Sequence, residues 1–118
     1  MEADVFAVRL SQIRARFTST LERKVEETEA GLSTLSGSEA TAISAVAETY
    51  RRLHGIAGTG PTVGFAATGQ AARTAEDILI EAYRSQRALT ESESAGLKQA
   101  LVVLRQAAQT ELEASSVG

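Results

Sequence analysis

Cysteine is absent from the chain, so neither a disulfide framework nor a thiolate metal site can be built. One histidine, His54, excludes a multi-histidine zinc site within a single copy, and no metal is expected. Proline occurs once and aromatic residues make up 4% of the chain, which leaves few helix breakers. No stretch approaches the roughly 20 apolar residues that a membrane span needs. The first residues include the acids Glu2 and Asp4 instead of a basic segment leading into an apolar run, so no secretory signal is read there. A cytoplasmic protein with no membrane partner is the expectation.

The 118 residues suit one domain, 1–118, with a single core. Hydrophobic residues at 43% and charged residues at 23% are ordinary for a globular chain. The net charge of -3, with twelve Lys and Arg scattered among fifteen acids, argues against a nucleic-acid partner. Ala, Leu, Glu, Arg and Gln dominate, which points to an all-α fold. A chain that starts with Met and carries its own caps looks self-contained, and a monomer is expected.

Apolar residues recur every three or four positions at Phe6, Leu10, Ile13, Phe17, Leu21, Val25, Leu32 and Leu35, with a gap near Thr28. This predicts an amphipathic helix from about Asp4. Thr18-Ser19-Thr20 offers a break, because Ser19 with Glu22 fits a capping box; one long helix and two in sequence both fit residues 4–35. The Ser, Thr and Gly cluster of 33–38 reads as a loop with Ser38 as the next N-cap. A second helix from about Glu39 has Ile43, Val46, Tyr50, Leu53 and Ala57 as its seam, with Tyr50 read as core and His54 at the seam's edge, partly exposed.

Gly58, Gly60, Pro61 and Gly64 end that helix and turn the chain. A third helix is predicted from Val63 or Gly64 to Arg84 or Gln86, striped by Phe65, Gly69, Ala72, Glu76, Leu79 and Tyr83. Its small Gly69 and Ala72 allow close backbone approach. Thr90 or Ser92 caps the last helix, Thr90-x-x-Glu93 matching a capping box, and Leu97, Leu101, Leu104, Ala108 and Leu112 form its stripe. Residues 115–118 are expected to fray. Short connections favour an antiparallel up-down-up-down four-helix bundle, with room for an additional N-terminal helix.

His54 sits in a run of very small side chains, and a carboxylate, Glu76, interrupts the apolar stripe of the next helix. If the hairpin is centred near residue 63, residue 72 lies level with His54, and Glu76 leaning back one turn meets it. Such a carboxylate accepts the Nδ1 proton and leaves the Nε2 lone pair outward, a defined nucleophile. From spacing alone Glu76 also fits a seam-edge residue paired with Arg73 or Arg84. Gly55 and its small neighbours leave the ring open to a bulky partner, whereas Gly60 and Gly64 read as turn glycines.

The run His54-x-Ile56-x-Gly58-x-Gly60-x-Thr62-x-Gly64-Phe65 resembles the signature of histidine-containing phosphotransfer (HPt) domains. It is similar above all to the N-terminal phosphotransfer domain of chemotaxis histidine kinases, whose following helix also carries a glutamate bonded to the phospho-accepting histidine. The resemblance implies that His54 is the phospho-acceptor and Glu76 its orienting acid, with Arg51, Gly55, Ala57 and Gly58 on the phosphate- and partner-binding face. It implies exchange of a phosphoryl group with the aspartate of a response-regulator receiver domain, or receipt from a hybrid or other histidine kinase.

On this reading the protein is a phosphorelay intermediate and not an enzyme in its own right. It needs no cofactor, since Mg²⁺ is expected on the partner receiver domain. No G-x-x-x-x-G-K-[ST] phosphate loop is present. Many family members carry a lysine three residues after the histidine, where this chain has Ala57 and so resembles an alanine-bearing subgroup. Arg51, one turn before His54, is the first candidate to balance phosphoryl charge, with Arg52 or Arg73 second. The missing lysine also motivates an alternative, a docking module that binds a receiver or kinase without carrying phosphate.

Overall fold

The computed structural model describes the backbone of residues 2–117 and the side chains of residues 4–115. Four helices form an antiparallel bundle: α1 (Glu2–Ala30), α2 (Glu39–Thr59), α3 (Ala66–Ser85) and α4 (Glu91–Val117). Short 3-10 turns at Leu32–Ser36 and Pro61–Val63 carry the first two connections. Among the described residues there is no strand, and no helix is long and apolar enough to cross a membrane.

Residues 4–30 belong to one helix, so neither the break at Thr18-Ser19-Thr20 nor a separate N-terminal helix forms. The three hydroxyls fold back on their own helix, Thr18 donating to the Ala15 carbonyl at 3.1 Å and Ser19 and Thr20 to that of Arg16 at 3.0 Å each. Bonded this way, they cap no new start. Thr28 fills the gap in the stripe: it is buried, donates to the Lys24 carbonyl at 2.8 Å, and accepts from Arg52 of α2 at 3.4 Å.

The core is the set of facing stripes. Phe17, Leu21 and Val25 of α1 meet Val46, Leu53 and Ile56 of α2, Ala72 and Leu79 of α3, and Leu97, Leu101 and Leu104 of α4. Each fully buried Leu or Ile contributes about 1.5–3 kcal/mol. The α2 seam is turned slightly from the expected one: Ala42, Thr49 and Ile56 are buried, while Ile43 and Tyr50 stay half-exposed. Leu112 is also half-buried. The bonds Arg14 Nε–Val63 O (3.0 Å) and the contact of Phe17 with Phe65 (5.1 Å between centroids) show that α1 has already reached the α2–α3 turn by residue 17. Its earlier turns project past that end, leaving Val5, Phe6, Val8 and Ile13 exposed.

The caps set the hairpins. Thr90 and Glu93 form the reciprocal box, Glu93 N donating to Thr90 Oγ1 at 3.1 Å and Thr90 N to Glu93 Oε1 at 2.9 Å. Arg87 clamps the same carboxylate, and its guanidinium holds the Glu93 carboxyl down at about 2. Ser38 stands at the α2 N-cap, but its hydroxyl turns to Thr41 Oγ1 instead of the backbone. α3 starts at Ala66, later than expected, because Gly64 takes a left-handed φ of 91° and closes the 3-10 turn. Its start is capped from α4, where Glu111 accepts from Thr68 N (2.7 Å), Thr68 Oγ1 (2.6 Å) and Ala67 N (3.2 Å). The predicted fraying falls partly outside the described residues; α4 continues to Val117.

Candidate functional site

His54 lies five residues before the end of α2, between Leu53, which is fully buried, and Gly55, which is exposed. That one-residue step of 100° turns the imidazole out of the core. Opposite it, α3 supplies Glu76 from within its buried stripe, flanked by Ala72, Ala75 and Leu79. The two helices approach closely because their contact is made of small residues. A Cβ on Gly69 would stand 2.6 Å from Pro61 Cδ, and one on Gly60 would stand 3.3 Å from Gly69 Cα of α3 and 2.8 Å from its own turn's Ile56 carbonyl oxygen, so neither place has room for alanine.

At that distance Glu76 reaches His54 directly. The imidazole Nδ1 donates to Glu76 Oε2. The two partners sit on opposite sides of the surface: the His54 side chain is 69% exposed and that of Glu76 only 6%. A carboxylate can only accept, so in the neutral ring Nδ1 keeps the proton and Nε2 carries the lone pair. The expected edge position is therefore found, with the ring more open than partly exposed. Glu76 makes no ion pair with Arg73 or Arg84 among the described residues.

Gly55 and Gly58 differ from the packing glycines. Both lie inside α2, and a Cβ on either would meet nothing within 4 Å. Glycine inside a helix costs about 1 kcal/mol relative to alanine, so two with no steric demand need another reason. Both flank His54, and their effect is a face without side chains beside the imidazole.

Ala57 does not belong to that face. It is 2% exposed and packs on the α3 side of α2, so it touches no group approaching His54. Its methyl is part of the tight helix contact, and the position offers no cation. Of the three arginines considered in its place, Arg52 is engaged with α1, 3.4 Å from Thr28 Oγ1 and 3.7 Å from Glu27 Oε2. Arg51 is exposed one turn before His54, and Arg73 is exposed one turn before Glu76; neither is paired among the described residues.

Two features escaped the sequence reading. Tyr50, taken as core, stacks on the imidazole with centroids 5.9 Å apart and planes 12° from parallel. Tyr83 of α3 stacks on Tyr50 in turn, at 4.2 Å and 7°. The spacing of four between Tyr50 and His54 is the signal that was available. The second feature is a groove of about 440 Å³ between α1 and α2, opening beside Gly55, floored by Ile13 and Phe17 and edged by Arg9, Arg16 and Lys24. It runs along α1 from the projecting turns at Arg9 to Lys24 beside α2, a pairing no local pattern in the sequence encodes.

Among the described residues no cluster of His, Asp and Glu is set to hold a metal ion. No protein-family model matches the chain, and comparison with curated proteins and with solved structures likewise returns no match. The chemistry the site allows follows from its geometry: one nitrogen lone pair, its tautomer set by a buried acid, on an exposed ring.

Proposed function

We propose that the protein is a histidine phosphotransfer domain of a two-component phosphorelay. The observation that carries this reading is the pairing of the exposed His54 with the buried Glu76. In the forward step the Nε2 lone pair attacks the phosphorus of a receiver's aspartyl phosphate. The N–P bond forms, the acyl O–P bond breaks, and the receiver's carboxylate leaves. The ring then bears a positive charge, with its proton still on Nδ1 facing the Glu76 carboxylate. The acid thus stabilises a charge that is absent before transfer, the condition for lowering the barrier. Return to a second aspartate reverses each bond change.

The remaining groups divide by what they touch. Gly55 and Gly58 leave space for a domain-sized partner, and the cationic edge of the α1–α2 groove suits one whose docking face is acidic. Arg51, exposed one turn before His54 on the same helix and unpaired among the described residues, is the cation that would neutralise phosphoryl oxygens in place of the family's lysine. A divalent cation, where transfer needs one, belongs to the receiver's own carboxylates, and the kinase or receiver supplies the phosphoryl group. Charging a panel of receiver domains with acetyl phosphate and Mg²⁺, then adding this protein, should give acid-labile phosphate on it that disappears in His54→Ala. Label retained in His54→Ala would defeat the proposal.

A second reading, a docking module that carries no phosphate, is favoured by one observation: the place of the usual lysine holds a buried alanine. It requires receiver binding unchanged by His54→Ala and no phosphohistidine on either partner.

A further inference from the structure

A single hydrogen bond does not fix an imidazole. The torsion that turns the ring about its Cβ–Cγ bond is broad, and a side chain 69% exposed has little packing to hold it. Gly55 and Gly58 give no support on either side, since nothing projects from them. Among the described residues the aromatic ring stacked on the imidazole is Tyr50, nearly parallel to it at 5.9 Å. Tyr50 is itself held by the closer stack with Tyr83 across the α2–α3 interface. His54 thus meets α3 twice, directly through Glu76 and indirectly through the two tyrosines.

We propose that Tyr50, backed by Tyr83, is a positioning residue for His54: it sets the plane of the imidazole so that Nδ1 faces Glu76 and Nε2 faces solvent. Stacked aromatic pairs favour their geometry by about two- to tenfold over alternatives, a magnitude suited to selecting one ring orientation. The contact also gains on phosphorylation. Once Nε2 carries phosphate and the ring is cationic, the π-face of Tyr50 lies beside a positive charge, which a ring face attracts. Tyr50 touches no reacting atom and acts only through His54.

The functional consequence rests on the phosphotransfer reading, but the geometry is testable without it. As His54 is the only histidine, a long-range proton–nitrogen correlation spectrum contains one imidazole and reports its tautomer directly. In Tyr50→Leu, which keeps an apolar side chain but removes the π-face, the ratio of Nδ1–H to Nε2–H tautomer should fall by about two- to tenfold. Tyr50→Phe should restore the wild-type ratio, a rescue that mere loss of a hydroxyl contact would not show. Tyr83→Leu, which leaves both Tyr50 and His54 in place, should shift the ratio in the same direction. Circular dichroism identifies which variants are folded. An unchanged ratio in folded Tyr50→Leu or Tyr83→Leu overturns the proposal. A shifted ratio in a protein that takes no phosphate from any charged receiver upholds the positioning role and removes the phosphotransfer reading instead.

Discussion

Replacing Gly55 and Gly58 by alanine should make the protein more stable and a poorer phosphate acceptor. Neither added methyl meets an atom within 4 Å, and neither glycine has a positive φ, so alanine fits without strain. The gain comes from helix propensity and from the restricted unfolded chain, about 1 kcal/mol at Gly55 and somewhat less at Gly58, next to the helix end. The pair should contribute about 1.5 kcal/mol. With an unfolding entropy of roughly 2.1 cal/mol/K per residue over 118 residues, that raises the melting temperature by about 6 °C. Calorimetry measures this term. The access term is measured as the rate of phosphate transfer from an acetyl-phosphate-charged receiver, and Gly55→Leu should depress it further than Gly55→Ala while remaining folded. A melting temperature that falls in either alanine variant would refute the reasoning, because it would mean that packing or backbone geometry demands these glycines.

Other consequences follow from single contacts. Glu76→Gln keeps the volume but removes the charge that meets the phospho-imidazolium, and should slow phosphate acceptance about ten- to hundredfold with little change in receiver affinity measured by titration calorimetry. Gly69→Ala drives a methyl toward Pro61 Cδ, 2.6 Å away, and should cost about 1–3 kcal/mol in urea unfolding, with loss of the Glu76 contact. Glu93, with its carboxyl held at about 2 by Arg87, contributes stability that is complete above the ordinary carboxylate range and is lost as pH falls from about 4.5 to about 2. Glu93→Gln should therefore flatten the acid-unfolding curve in that window, and an unaltered curve would contradict the clamp.

The helices were legible because their apolar spacing is regular and the α4 cap is local. Thr90-x-x-Glu93 was read correctly because every atom of that cap lies within four residues. Ser19-x-x-Glu22 has the same pattern and caps nothing, since Phe17 just before it and Leu21 just after it are buried on one continuous helix. The α3 start was placed too early because its cap, Glu111, comes from 43 residues downstream, a contact no local pattern encodes. Glu76 was legible as a carboxylate out of place in an apolar stripe, and its partner from the hairpin register. Ala57 appeared both as seam and as binding face, and burial assigns it to the seam. The tyrosine stack was missed because half-buried Tyr50 satisfies a core pattern equally well, and Tyr83 meets it only through the interhelical packing.

The most direct test is to treat the protein with phosphoramidate and locate phosphorus on its one imidazole by phosphorus–nitrogen coupling. Coupling to Nε2 in the wild type, lost in His54→Ala and weakened in Glu76→Gln, is the expected result. Phosphorus on Nδ1, or an imidazole that stays unmodified while receiver domains still bind, would contradict a tethered His54 that accepts phosphate on its outer nitrogen.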